Sequence, residues 1–181
     1  MLSSRLPFQA RFILASFTAV SLILTSGCQS IHDKKEVTVE ILHTNDMHSH
    51  FAGSKNGSAC ITENDCEGGY GRVAEYVKEV KERNPNAIFL DAGDQFQGSL
   101  LYVNYHSPLV GKITDKMRYD FATFGNHEFD EGCRELARFL EVQPLPVLAA
   151  NLAPQQGCPL AGSRIRPYLV QTIRGTRVGI I

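Results

Sequence analysis

The chain has 181 residues, 43% of them apolar and 20% charged, with 18 basic residues against 19 acidic ones and a formal charge of −1. That composition is ordinary for a folded globular protein and excludes a disordered polyelectrolyte. The near-neutral charge gives no footing for a general nucleic-acid binder, so no nucleic-acid polymer is expected as a partner.

Residues 1–27 read as an export signal: Arg5 and Arg11 precede the apolar run Phe12 to Leu24, and small residues follow directly. Their removal leaves 16 basic residues against 19 acidic ones, a formal charge of −3. Thr25-Ser26-Gly27-Cys28 resembles the lipobox of bacterial lipoproteins, which makes Cys28 the candidate lipidation site and the new N-terminus. Thr25 stands where that motif usually carries leucine, so plain secretion with cleavage near Gly27 is the alternative. Either route leads out of the cytoplasm, to the periplasm or outer cell surface, with a membrane anchor only in the first case. Residues 28–36 form a polar tether.

Val37 to Thr44 alternates β-branched residues and predicts the first strand, which ends in Asn45-Asp46-Met47-His48. Phe51 to Gly69 is rich in Gly, Ser and Asn and predicts a surface loop; its Asn56-Gly57-Ser58 sequon matters only in a glycosylating host. Val73, Val77 and Val80 recur at helical spacing until Asn84-Pro85-Asn86 ends the helix. Ala87 to Leu90 is the second main strand and runs into Asp91-Ala92-Gly93-Asp94. A helix from about Pro108 to Met117 leads to the third strand, Phe121 to Phe124, which ends in Gly125-Asn126-His127-Glu128-Phe129-Asp130. Glu131 to Val142 predicts a helix, Pro146 to Ala150 a fourth strand, and Tyr168 to Ile173 with Thr176 to Ile181 a closing pair. The chain stops inside an apolar strand, which predicts that residues 37–181 are the N-terminal portion of a longer domain.

Four further cysteines, Cys60, Cys66, Cys133 and Cys158, are an even set in an exported protein, and their spacing does not suit zinc. They admit three connectivities. The short polar loop between Cys60 and Cys66 favours a local pair, which leaves Cys133 with Cys158.

Strand ends in one sheet are neighbours, and here they present Asp46 with His48, then Asp94, then Asn126 with His127 and Asp130. Carboxylate, imidazole and amide oxygens suit divalent Mn, Zn, Co, Fe or Mg. His43 and His50 flank the first cluster and are assigned supporting roles. Asp91 is expected to brace its loop, Glu128 to cap the following turn, and Gln95 and Gln97 to add hydrogen bonds. His106 falls in a loop with no partner evident.

The stretches V-E-I-L-H-T-N-D-M-H-S-H-F (39–51), L-D-A-G-D-Q-F-Q-G (90–98) and G-N-H-E-F-D (125–130), with Arg118-Tyr119-Asp120 and Ala149-Ala150-Asn151, resemble the calcineurin-like metallophosphoesterases. Within them the match is to the 5'-nucleotidase and UDP-sugar hydrolase branch. The resemblance implies an α/β fold, a sandwich of αββα layers, truncated at its C-terminal side. It implies two divalent metal ions, with Asp46 and His48 on the first, Asp94 bridging, and Asn126 on the second. It implies His127 and Asp130 as a catalytic dyad that stabilises charge while an activated hydroxide attacks phosphorus. Nucleotides are the implied substrates: nucleoside 5'-monophosphates, or, as the alternatives, 2',3'-cyclic nucleotides or UDP-sugars. The family completes its site with histidines in later Gly-His-x-His-like segments, so residues 1–181 alone are expected to be inactive. A non-catalytic surface binding protein is the remaining alternative.

Overall fold

The protein was analysed as a computed structural model that describes residues 36–60, 65–161 and 164–181. The expected export signal, Cys28 and nearly all of the expected tether lie outside the described residues.

Three parallel strands form the central sheet: β1 (Ile41–Thr44), β4 (Ile88–Asp91) and β5 (Phe121–Ala122), in the order β1-β4-β5. Thr44 pairs with Asp91, and Asp91 with Ala122, so all three strands end at one level. Between β1 and β4 lie a small hairpin, β2 (Ser54–Lys55) with β3 (Ser58–Ala59), and helix α1 (Tyr70–Arg83). The hairpin turns at Asn56-Gly57, both at positive φ, in the surface loop expected there.

The third strand is shorter than its apolar sequence predicts. Thr123 N–H still reaches the Asp91 carbonyl, but the chain then turns because Gly125 N–H is captured by the Glu128 carboxylate. The predicted fourth strand is reduced to two bridges, Ala122 with Val147 and Leu148 with Arg166. Likewise β1 starts at Ile41 rather than Val37.

Helix α2 (Leu100–Met117) begins eight residues before the predicted start at Pro108. Ser99 caps it by accepting Tyr102 N–H at 3.2 Å. His106, at φ 50° and ψ −157°, breaks the helix, and Pro108 opens its second half. The helix therefore starts at the Ser99 cap and restarts at the predicted Pro108. A 3-10 turn (His127–Phe129), helix α3 (Gly132–Val142) and a hairpin of β6 (Leu169–Ile173) with β7 (Thr176–Ile180) complete the described elements.

Two apolar clusters fix these layers. Phe96, Tyr102, Val110, Leu136 and Phe139 join α2 to α3, while Tyr70, Val77, Phe89, Met117 and Tyr119 pack α1 onto the sheet. Disulfides join Cys60 to Cys66 and Cys133 to Cys158, each with Cα atoms 5.6 Å apart; the second ties the first turn of α3 to the loop between Leu148 and Arg166. Among the described residues, no helix is long and apolar enough to cross a membrane.

Candidate metal centre

The loops that leave β1, β4 and β5 meet at the carboxyl edge of the sheet, the usual location of ligand sites in parallel α/β structures. Backbone bonds stitch the first two together: Asp46 N–H to the Gly93 carbonyl at 3.0 Å, His48 N–H to that of Asp94 at 2.9 Å, and Ser49 N–H to that of Gln95 at 2.9 Å. Asp46 (φ 51°), His48 (φ 44°) and Asp94 (φ 55°) all occupy the left-handed region. Such conformations cost about 1–3 kcal/mol each and persist where the surroundings enforce them. Three such conformations fall on side chains that gather at this edge of the sheet.

Glycines let the loops approach. A Cβ on Gly93 would lie 2.2 Å from Gly125 N, and one on Gly125 would lie 2.0 Å from Asp94 Oδ1.

Ligand atoms of His48, Asp94 and His127 all lie within 4.8 Å of one another. His48 Nδ1 donates to the Phe96 carbonyl at 3.1 Å, which leaves Nε2 with its lone pair available. Asp46 Oδ1 is 4.0 Å from that Nε2, and Asn45 Nδ2 donates to Asp46 Oδ2 at 2.6 Å. Asp94 is buried, and its Oδ1 accepts His127 N–H at 3.0 Å. Asn126 is exposed at the start of the 3-10 turn. Imidazole nitrogen with clustered carboxylates is a donor set that fits a hard or borderline divalent ion.

His127 belongs to this cluster and also meets Asp130, with Nδ1 2.6 Å from Oδ2. That hydrogen bond is the largest influence on the imidazole and raises its pKa above the ordinary value; desolvation, the next largest, opposes it, and the charges of Asp130, Asp94 and Glu128 add to the rise. The protonated ring is thereby favoured beside the cluster.

A second layer lies behind. Asp91 is buried and accepts from Gln95 Nε2 at 2.6 Å and Thr44 Oγ1 at 3.2 Å; burial raises its pKa to about 7 despite those bonds. Thr44 also bonds the Tyr119 hydroxyl at 2.7 Å, and Tyr70 donates to Gln95 Oε1. Asp91 thus braces the loop, as expected. Gln97 is half-buried at φ 64°, and His43 and His50 are exposed.

His106 does have a partner: its Nδ1 lies 3.1 Å from Glu131 Oε2. With Glu135 the two form a second compact group, but Glu135 is already engaged by the backbone and hydroxyl of Ser107 and by Arg138. That group reads as a brace for the kink in α2. Glu128 was expected to cap a turn. Instead it is fully buried and its carboxylate receives the N–H groups of Asp94, Gln95, Phe96 and Gly125.

A family profile described as calcineurin-like phosphoesterase matches residues 39–170. The chain belongs to the calcineurin-like phosphoesterase family. Members of this family use divalent metal ions, in keeping with the cluster above. The chain is 37% identical to human 5'-nucleotidase over 147 residues, covering 78% of this chain and 25% of that protein. It is 36% identical over 145 residues to the snake venom 5'-nucleotidase of Naja atra, covering 78% and 27%. Among solved structures, the NAD nucleotidase of Haemophilus influenzae matches with a TM-score of 0.70 at 29% identity, over 80% of this chain and 26% of that one. The 5'-nucleotidase precursor of Thermus thermophilus matches with a TM-score of 0.68 at 35% identity, over 80% and 28%. The calcineurin-like metallophosphoesterase fold is therefore that of this chain, which spans about a quarter to a third of the curated relatives it matches.

Proposed function

We propose that the full-length protein is an exported, metal-dependent phosphoesterase that hydrolyses nucleoside 5'-monophosphates. The observation that carries this reading is the convergence of His48, Asp94 and His127 ligand atoms within 4.8 Å at the end of the sheet, in a family whose 5'-nucleotidases are the relatives named above.

Asp46, His48, Asp94 and Asn126 would hold two divalent ions, which when bound polarise a phosphoryl oxygen and lower the pKa of water. The chain's own residues supply the rest. His48 is held in one tautomer by the Phe96 carbonyl, so its Nε2 lone pair is preset to ligate an ion. Asp94 is fixed by His127 N–H and cannot swing out without breaking that bond. Asp130 raises the pKa of His127, which favours a ring that offers an N–H to charge building on the phosphoryl group. Asp130 keeps the ring from rotating away. Residues beyond Ile181 complete the ligand set and bind the nucleoside in this reading.

The test is phosphate release from AMP by the full-length protein with Mn2+ or Co2+. Activity that survives metal stripping and EDTA would overturn the proposal, and no activity on any phosphoester would favour a surface binding protein. A second reading, cleavage of a nucleotide pyrophosphate such as a UDP-sugar, is favoured by the similarity to an NAD nucleotidase. UDP-glucose, NAD and 2',3'-cyclic AMP assayed beside AMP separate these substrates.

Residues 1–27 serve as the export signal in this proposal, with Cys28 lipidated. Incorporation of labelled palmitate by the wild type but not by Cys28→Ala supports the anchor; its absence from the wild type makes the protein simply secreted.

A further inference from the structure

We propose that Glu128 is the positioning residue that locks the loop bearing Asp94 to the loop bearing Asn126 and His127, and so sets the affinity of the centre for divalent ions. The inference rests on the function proposed above but concerns a residue that touches neither metal nor substrate.

Glu128 is 2% exposed. Its Oε1 accepts N–H from Gln95 at 2.7 Å and Phe96 at 3.2 Å; its Oε2 accepts from Asp94 at 3.0 Å and Gly125 at 2.5 Å. An ionised carboxylate has about four acceptor sites, so backbone N–H groups alone fill this one. Among the described residues no arginine or lysine pairs with it. The buried charge is met by peptide dipoles, and for that the chain must aim three consecutive N–H groups at one point.

Asp94 at φ 55° is what aims them. A left-handed residue in a tight loop turns successive N–H groups to one side and makes an anion-binding concavity. Glu128 fills that concavity, so the strained conformation of the proposed bridging ligand is held by an anion from the next loop. The connection is reciprocal: Asp94 Oδ1 accepts the N–H of His127, the residue before Glu128. Gly93 and Gly125 touch backbone to backbone, which leaves the two loops no slack. The pair of loops therefore moves as one piece only while Glu128 is a carboxylate of this length.

Glu128→Gln would present an NH2 group to two of the four N–H donors and push the loops apart. In the full-length protein, the expected result is a Mn2+ dissociation constant, measured by calorimetry, raised about 10- to 100-fold, the range seen when a partner of a metal ligand is lost. Glu135→Gln is the matched control. It too removes a buried carboxylate that accepts a backbone N–H, but at the kink of α2. It should lower the melting temperature and leave Mn2+ affinity within about twofold of the wild type.

Wild-type affinity in Glu128→Gln, or equal losses in both variants, would overturn the proposal. Glu128→Asp, which keeps the charge but shortens the arm, should bind with intermediate affinity. Should neither Glu128 variant fold, amide exchange on metal-free wild-type protein decides: Asp94, Gln95, Phe96 and Gly125 should be protected, and rapid exchange there would overturn it. If the wild type binds Mn2+ yet releases no phosphate, the functional reading fails while this inference stands. If the wild type hydrolyses nucleotides and Glu128→Gln binds Mn2+ normally, the reverse holds.

Discussion

His127 Nδ1 lies 2.6 Å from Asp130 Oδ2, so one turn of 3-10 helix joins an imidazole to the carboxylate that orients it. Sequence spacing of three places both side chains on one side of that turn. Because this bond is the main cause of the raised His127 pKa, Asp130→Asn should lower it toward the ordinary value. Imidazole chemical shifts followed through a pH titration of metal-free protein check this; an unmoved midpoint would show that Asp130 does not hold the ring.

Ligands and dyad separate by mutation. In full-length protein, Asp94→Ala should lose metal content and turnover together. His127→Ala should keep its metal and lose about 10²- to 10³-fold in kcat, the loss expected for one preorganised transition-state donor. Adding Asp130→Asn to His127→Ala should cost little more, since residues that act as a unit are not additive. Elemental analysis with steady-state kinetics measures both, and a His127→Ala protein stripped of metal would make His127 a ligand.

Gly125→Ala tests the close approach of the loops. The new methyl would fall 2.0 Å from Asp94 Oδ1 and 2.6 Å from Asp94 N, against a carboxylate with nowhere to retreat. Overpacking of this kind costs about 1–3 kcal/mol, so the variant should fold with a lower melting temperature. Its Mn2+ binding should fall far more than its stability, as calorimetry alongside thermal unfolding would reveal.

Asp91 gives a pH dependence whose sign follows from burial. Its folded pKa of about 7 exceeds its ordinary 3.8, so between those values the folded state holds a proton that the unfolded chain releases. Stability therefore falls as pH rises through that window, by at most about 4 kcal/mol. Asp91→Asn keeps the acceptor for Thr44 and Gln95 without the charge, and should flatten the profile of melting temperature between pH 4 and 7 in chelated protein. A profile as steep as the wild type's would assign the slope elsewhere.

The positions of the cluster were legible in the sequence because parallel strands deliver their ends to one edge, and an apolar run followed by Asp, His or Asn is visible without coordinates. Asp46, His48, Asp94 and His127 could be placed together on that ground alone. Glu128 could not: its partners are backbone N–H groups, which every residue but proline carries, so no side-chain pattern announces them. The early start of α2 was hidden because Pro108 is a strong signal for a helix start and Ser99 a common one. His106 found its partner across the kink, in α2's contact with Glu131, where spacing along the chain is uninformative. The fourth strand failed to form as a ladder although its residues are apolar, since hydrophobicity sets burial and leaves pairing length to neighbours.

Thr44, Asp91 and Ala122 stand side by side at the strand ends, with β1 bonded to β4 and β4 to β5. An ion held by the loops just beyond them would clip all three strands at once. Occupancy at a hundredfold excess over the dissociation constant would add about 2.7 kcal/mol to the folded state. Free metal in the surrounding medium would then set how long the molecule survives heat or proteases. Two preparations with the same sequence would differ in durability according to the water they were grown in.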